Sequence, residues 1–442
     1  MHLWQAGHAA YAVGGALRDL LLGRPPIDWD IATDAWPERL LGLFPGSRYE
    51  NRFGTVSVEP DLEITTFRRD HRYGDHRRPD AVTFTGDVLE DLARRDFTVN
   101  AIAWGRAPGE EAPAWVDPWE GRADLGAGLL RTVGDPAMRF DEDALRLLRA
   151  ARLSAQLGLA VEADTLAGMV VGAPLVEHVS QERVGQELTK LLGAPRPSDG
   201  FRVLQQTGVL ASALPELAAQ TGIPQNKRVG GDLWDHTLAT VDAAAEITGE
   251  ARGGHFLLAA LLHDIGKPAT WKESGSFLGH DEVGAVVAEQ VLTRLAIPRR
   301  EVATVCALIR WHMFDYRPTW TDAAVRRFMR RVGPRLVPEL LRLREADNLG
   351  SGQPADAGAL PELRQRVQEQ LSRGVPLGLR DLAVNGTDLQ AELGLDPAPA
   401  LGRLLDRLLD SVIADPERNT RRQLLIDARS WSADMRASED AR

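Results

Sequence analysis

Two aspartates, Asp28 and Asp30, stand two residues apart in the stretch "IDWDIATDA" (27–35). In a strand, residues two apart share a face, so both carboxylates would point one way while Ile27, Trp29 and Ile31 point the other. Like charges converging on one face repel each other unless solvent or a cation compensates. A pair of Mg²⁺ ions roughly 3.5–4 Å apart would do so, and would equip the site for chemistry at phosphorus. A solvent-facing polar edge on a half-buried strand would carry the same residues. The preceding segment, "YAVGGALRDLLLG" (11–23), reads as a strand, a Gly-Gly turn and a helix. Gly14 and Gly15 let backbone amides approach an anion, the helix N-terminus favours negative charge, and Arg18 one turn further on can reach the same anion. A phosphate cradle therefore precedes a metal-ready carboxylate pair by one short helix.

A second set of donors lies further along. "LAALLHDIGKPAT" (258–270) reads as an apolar helix ending in adjacent His263 and Asp264, with His236 upstream and His280, His312 and Asp347 downstream. One histidine on an apolar helix is ordinarily a satisfied core residue. Four histidines and two aspartates at helical positions are harder to dismiss in that way. Imidazole with carboxylate suits Mn²⁺, Fe²⁺, Ni²⁺ or Zn²⁺, and Mg²⁺ less tightly.

The elements that must position these groups follow from periodicity. Residues 1–134 mix short β-rich runs ("GTVSVEP", "LEITTFR", "AVTFTG", "FTVNAIAW", "LLRTVG") with turns, and read as an α/β domain. From 135 to 224 apolar residues recur at three- and four-residue intervals, as in "FDEDALRLLRAARLSAQLGL", which predicts helices. A second helical region spans 225–350. The stretch "NLGSGQPADAGALP" (348–361) reads as a linker before a helical tail at 360–442. The expected fold class is α+β, a mixed-sheet head followed by helices. The 442 residues are too many for one core. Hydrophobic content of 44% and charged content of 26% suit a soluble globular chain. No apolar run reaches the roughly 18 residues of a membrane span, and "MHLWQAGHAA" lacks the marks of a signal peptide. The lone Cys306 excludes an internal disulfide, and a cytoplasmic location is the default expectation. A net charge of −11 argues weakly against a nucleic-acid partner, but arginines cluster in "FRRDHRYGDHRRP" (67–79), "RLLRAAR" (146–152) and "RRFMRR" (326–331).

Gly-Gly, Arg-Asp and Asp-x-Asp at this spacing, continued by "EITTFRRDHRYGDHRRP", "EDLARRDFTVNAIA", "VDPWEGRADL" and "RFDEDALRLLRAARL", resemble the nucleotidyltransferases of the DNA polymerase β superfamily. The closer resemblance is to the class II CCA-adding tRNA nucleotidyltransferases and related poly(A) polymerases, and covers roughly residues 10–220. It implies that Asp28 and Asp30 hold Mg²⁺, with Glu63 as a third carboxylate. It implies that Gly14, Gly15 and Arg18 take the triphosphate, and that Arg95, Asp96 and Asn100 contact nucleotide and ribose. Asp143 and Arg146, three apart, are expected on one helix face. They display an acceptor beside a fork of donors, complementary to cytosine and, slightly shifted, to adenine. Arg149 and Arg152 continue a basic stripe toward the phosphates. The implied substrates are tRNA, CTP and ATP, without a membrane or an obligate protein partner. The segment holding Asp70, Tyr73, Asp75, Arg77, Arg78 and Pro79 resembles the loop these enzymes use in switching from C to A.

The pattern H…HD…H…H…D resembles the HD superfamily of metal-dependent phosphohydrolases. That resemblance implies His236, His263, Asp264 and Asp347 as ligands of one metal, with His280 and His312 serving a second metal or phosphate. The expected activity is a template-independent transferase completing tRNA with CCA, with an accessory phosphodiesterase or phosphatase site. An A-adding or poly(A)-making variant, a phosphohydrolase with a regulatory nucleotide-binding head, and a noncatalytic RNA-binding protein are the alternatives. Intact Asp28, Asp30, Asp143 and Arg146 argue against a degenerate head, and a noncatalytic RNA-binding protein has no reason to keep two metal-ligand sets.

Overall fold

The computed structural model describes every residue except 51–52, 72–80, 226–230, 250–253, 395–398 and 441–442, with side chains described as far as Ser432. The expected segment with Tyr73, Asp75, Arg77, Arg78 and Pro79 lies outside the described residues. The chain divides into two compact units. The first comprises Met1–Pro224, Gly231–Gly254 and Gln290–Arg299; the second comprises Gln225, His255–Glu289 and the chain from Arg300 onward.

The first unit opens with a seven-stranded sheet built from β1 (Ala10–Val13), β2 (Trp29–Thr33), β3 (Arg48–Tyr49), β4 (Thr55–Glu59), β5 (Leu62–Thr66), β8 (Ala103–Arg106) and β9 (Ala114–Val116), in the order β3-β4-β5-β2-β1-β8-β9. Between β5 and β8 the chain forms a separate hairpin, β6 (Arg68–His71) with β7 (Ala81–Phe84). The sheet is mixed, because β2 runs antiparallel to β1 and parallel to β5. Alternation sets its two cores. Tyr11, Val13 and Ala32 pack on one face with Phe67 and Leu92, whereas Ala10, Val56 and Ile64 pack on the other under Leu3 and Leu40. Strand β2 enters this core only at its far end: Trp29 and Asp30 are exposed while Ala32 and Thr33 are buried. The Gly15–Leu21 helix, α1, follows β1 directly.

The rest of this unit is largely helical, and three helices matter for the site: α2 (Pro136–Glu142), α3 (Leu145–Leu157) and α4 (Gln181–Leu192). Helix α3 buries Leu147, Leu148, Ala150, Ala151 and Leu153 along one stripe, the expected 3.6-residue period. Helix α5 (Leu233–Thr248) starts with a capping box in which the Asp232 side chain accepts from the Asp235 amide and the Asp235 side chain takes the Asp232 amide.

In the second unit α6 (Gly254–Leu262) is apolar on all sides, with Phe256 to Leu262 all buried, which fits an internal helix. It is followed by α7 (Lys267–Ser274), α8 (His280–Arg294), α9 (Arg299–Trp311), Asp322–Val332 and α10 (Val337–Gly350), with the stretch Gln290–Arg299, from the end of α8 to the start of α9, counted in the first unit. Residues 351–359 connect α10 to the helix Leu360–Ser372. The last helices close over Leu404, Leu408, Leu409, Val412 and Leu424. No helix among the described residues is long and apolar enough to cross a membrane.

Candidate active site

The turn after β1 carries the tightest constraint. Gly14 has φ 74° and ψ −140°, in the region that L side chains avoid. A Cβ there would lie 2.9 Å from Arg95 Nη1 and 3.4 Å from Asp30 Oδ2. Glycine thus lets the turn, a carboxylate and a guanidinium share one small space. A Cβ on Gly15 would meet the Arg18 guanidinium at 3.4 Å, because Arg18 folds back over the turn. Arg18 is held by Asp19 at 2.8 Å and donates through Nη1 to Asn100 Oδ1 at 2.7 Å.

Asn100 continues the chain of contacts. The run "FTVNAIAW" forms a strand only from Ala103; its first part is the 3₁₀ turn Thr98–Asn100, which turns the Asn100 amide inward. Asn100 Nδ2 donates to Asp96 Oδ1 at 3.0 Å, and Asp96 Oδ2 lies 2.9 Å from Arg149 on α3. Arg18, Asn100, Asp96 and Arg149 therefore form one polar line from the glycine turn to α3. Burial by itself would raise the Asp96 carboxyl, but Arg149, the Asn100 amide and Arg146 outweigh it and hold it down at about 2. Arg95 is anchored by Asp91 Oδ2 at 3.3 Å.

Asp30 pairs in register with Val13 on one side and Glu63 on the other. Asp28 stands one residue ahead of β2. Asp30 and Glu63 are exposed by surface area, yet protein atoms crowd their carboxyls and displace part of their water: this desolvation raises Asp30, with Arg95 opposing the rise and Asp28 adding to it, and raises Glu63, with Asp30, Glu50 and Asp28 adding in turn. Carboxylates that push one another up are short of positive charge, and the hard oxygen donors fit a cation such as Mg²⁺.

One helix through "FDEDALRLLRAARL" is not what forms. Asp143 is extended, with φ −146° and ψ 102°; it ends α2, and α3 begins at Leu145. Asp143 and Arg146 therefore do not share a helix face, contrary to what their spacing predicts. The break has one local and one distant cause: Asp143 Oδ1 accepts from the Leu145 amide at 3.1 Å, and Oδ2 accepts from Arg183 on α4 at 3.1 Å. Arg146 donates through Nη1 to Glu142 Oε2 at 2.6 Å and to the Arg139 carbonyl at 2.9 Å. Arg152 donates to Glu187 of α4 at 2.6 Å.

A cavity of about 500 Å³ gathers these groups. Gly14, Gly15, Arg18, Asp30, Arg95, Asp96, Asn100, Asp143, Arg146, Arg149 and Arg152 all line it. Asp28 and Glu63 do not line it; both are exposed. Glu142, Arg183 and Glu187 were missed by reasoning from the sequence. Glu142 was findable, since it precedes Arg146 by four residues on the Glu-Asp-x-x-Arg element. Arg183 and Glu187 lie 40 and 35 residues from their partners, and no local pattern announces them.

The second unit holds the other donors. Asp264, His280 and His312 are buried, with ligand atoms within 4.8 Å of one another. His280 Nδ1 and His312 Nδ1 each lie 2.6 Å from a backbone carbonyl, of Phe277 and Ile309 respectively, so these nitrogens carry the ring hydrogens. The two Nε2 atoms are left facing each other at 3.2 Å, and lie 3.2 and 3.7 Å from Asp264 Oδ1. Lone pairs converging in this way fit a cation. His263, its Nδ1 2.9 Å from the Ala260 carbonyl, presents Nε2 to Asp264 at 3.2 Å and to Asp347 at 3.8 Å. Lys267, also unforeseen, donates to Asp264 Oδ2 at 2.6 Å. His236 belongs to the first unit, on α5, with Nε2 3.5 Å from Thr240 Oγ1.

Comparison with known proteins covers the chain in three stretches. Residues 10–131 match the family "Poly A polymerase head domain", 158–221 the family "Probable RNA and SrmB- binding site of polymerase A", and 233–351 the family "HD domain". The CCA-adding enzyme of Geobacillus thermodenitrificans is 46% identical over 216 residues, 48% of this chain and 52% of that enzyme. The chain thus matches about half the length of such relatives. The CC-adding tRNA nucleotidyltransferase of Thermus thermophilus is 35% identical over 427 residues, covering 91% of this chain and 89% of that protein. Among solved structures, the Bacillus stearothermophilus CCA-adding enzyme in complex with CTP superposes with a TM-score of 0.73 at 27% identity, over 100% of this chain and 96% of that one. The Thermotoga maritima CCA-adding enzyme complexed with tRNA shares the fold, with a TM-score of 0.56 at 20% identity over 96% of this chain and 91% of that one.

Proposed function

The chain belongs to the class II family of tRNA nucleotidyltransferases and poly(A) polymerases, carrying an HD domain, and from that premise we propose that it completes tRNA 3′ ends with CCA, using CTP and ATP. The observation that carries the reading is the single cavity in which the glycine turn, Asp30 and the Asp143–Arg146 break meet. In the reaction the RNA 3′-oxygen joins the α-phosphorus of the nucleotide, pyrophosphate leaves, and the 3′-hydroxyl loses its proton. Mg²⁺ bound at Asp28 and Asp30, with Glu63 in support, would activate the 3′-hydroxyl and neutralise the triphosphate. Gly14, Gly15 and Arg18 receive the triphosphate, and Arg95, Arg149 and Arg152 add positive charge along it. Asp96 and Asn100 face the ribose. Asp143 and Arg146, each braced by a neighbour, offer the base one acceptor and one donor array without a nucleic-acid template.

A second reading, addition of C alone, is favoured by the Thermus relative, which matches along most of its length. Incubating tRNAs that end before CCA, or after CC, with single nucleotides and sequencing their 3′ ends separates the two. Loss of CMP and AMP incorporation in Asp28→Ala tests the carboxylate assignment.

The domains proposed are a catalytic head (1–134), a neck for nucleotide selection (135–224), an HD phosphohydrolase domain (225–350) and a helical tail (360–442). His263, Asp264, Asp347, His280 and His312 are assigned to a phosphodiesterase or phosphatase site loaded with Mn²⁺, Ni²⁺, Fe²⁺, Zn²⁺ or Mg²⁺; His236 joins this assignment from the sequence pattern alone. The cytoplasm is the proposed location.

A further inference from the structure

We propose that Trp271 and Phe277, with Leu278 at their edge, form a stacking subsite for an unpaired RNA base beside the Asp264–His280–His312 group. The inference rests on the phosphohydrolase reading of that group and adds what its substrate carries. Phe277 is tied to the donor group twice. Its carbonyl lies 2.6 Å from His280 Nδ1, and its ring lies 5.2 Å from Lys267 Nζ, the ammonium that donates to Asp264 Oδ2 at 2.6 Å. Phe277 in turn stacks on Trp271, with ring centroids 5.1 Å apart and planes at 29°. A continuous run of contacts thus leads from the buried donors to an aromatic surface.

That surface is left in water. Trp271 is 37% exposed, and Leu278 at 90% is more exposed than any other large hydrophobic side chain among the described residues. Trp271 lies in the middle of α7 and Leu278 on the connection to α8, within the segment that leads from Lys267 to His280 of the donor group. Planar aromatic rings beside an ammonium suit a ligand with a flat apolar part and a phosphate, and a nucleotide of a single strand has both. Lys267 and Phe277 intervene between Trp271 and Asp264. A base on Trp271 therefore belongs to a strand whose phosphate reaches the donors, and the site discriminates an RNA 3′ end from a bare phosphate ester.

The test uses the full chain and a short oligoribonucleotide ending in a 3′-phosphate, with 4-thiouridine at its last or penultimate position. Irradiation in the presence of a chelator, followed by peptide mapping, should place the cross-link within residues 271–278. Trp271→Leu should weaken binding of this probe about tenfold, whereas Trp271→Phe, which keeps a flat ring, should restore most of it. A cross-link confined to other peptides, or equal binding by the Leu and Phe variants, overturns the proposal. Mn²⁺- or Ni²⁺-dependent release of phosphate from the probe, together with cross-links elsewhere, would leave the phosphohydrolase reading standing and remove the subsite. Cross-links at 271–278 without metal-dependent release from the probe or from p-nitrophenyl phosphate would do the reverse.

Discussion

Asp143 and Arg183 are joined by an ion pair of 3.1 Å that links the break between α2 and α3 to helix α4. The carboxylate that faces the cavity is thereby fixed in orientation by a residue 40 positions away. Its second oxygen accepts from the Leu145 amide, so neither oxygen is free to swing. Removing Arg183 should loosen the acceptor that separates cytosine and adenine from uracil and guanine. Arg183→Leu is expected to raise misincorporation of UMP and GMP relative to CMP by about tenfold, about 1.4 kcal/mol of lost discrimination. Arg183→Lys should recover part of it. Unchanged fidelity in single-nucleotide incorporation assays would remove Arg183 from base selection.

How far the sequence revealed this site depends on the range of each contact. Gly14, Arg18 and Asp30 were legible because a turn, a helix and a strand edge leave signatures within a few residues. Glu63 lies far along the chain from Asp30, and only the parallel register of β2 and β5 makes them neighbours. The helix break at Asp143 escaped the periodicity because Leu145, Leu147 and Leu148 continue the apolar pattern past it. A side-chain cap and a distant arginine override the local helical preference there. The donors His263, Asp264, His280 and His312 were visible as residue types, but their convergence depends on how the second unit packs.

Asp30 should illustrate the conflict between stability and function. Desolvation, and then Asp28, raise its carboxyl against the opposition of Arg95, so in the metal-free protein the ionised form that is populated above that raised pKa destabilises the fold, and the cost is relieved as pH falls through it. Asp30→Asn is expected to raise the melting temperature of the chelated protein at pH 7 while lowering CMP transfer by more than about 100-fold. A variant less stable than the wild type under those conditions would contradict the account of the acid cluster.

Gly14→Ala combines a left-handed backbone with a Cβ placed 2.9 Å from Arg95 Nη1. Arg95 must retreat, and with it the charge beside Asp30. The expected result is a rise of about tenfold in the KM for CTP, with roughly 1 kcal/mol of backbone strain. Gly23→Ala, also at positive φ but with open space around its Cβ, serves as a control for the strain alone. Equal KM values in the two variants would mean that the contact with Arg95 is irrelevant.

The donors of the second unit make a separate prediction. His280 and His312 turn both Nε2 lone pairs toward Asp264 Oδ1, an arrangement that without a cation brings acceptors together. Calorimetric titration of the chelated full chain with Ni²⁺ or Mn²⁺ should reveal a site that His280→Ala or His312→Ala weakens by at least about tenfold. The same titration of Asp264→Ala should show it abolished. Metal uptake that is indifferent to all three substitutions would sever the group from metal binding.

Asp96 supplies the pH dependence. Its folded carboxyl lies at about 2, against an ordinary 3.8, because Arg149, Asn100 and Arg146 more than offset burial. A depressed carboxylate stabilises the fold at pH values above its unfolded pKa, and that contribution disappears as pH falls from about 4 to about 2. The difference corresponds to about 2 kcal/mol. Asp96→Asn should therefore be markedly less resistant to urea than the wild type at pH 6, and the gap should close as the titration is repeated toward pH 2. A gap that stays constant over that range would show that the Arg149 pair contributes through packing rather than charge, and would uncouple the polar line from Arg18 to α3 from the electrostatics of the site.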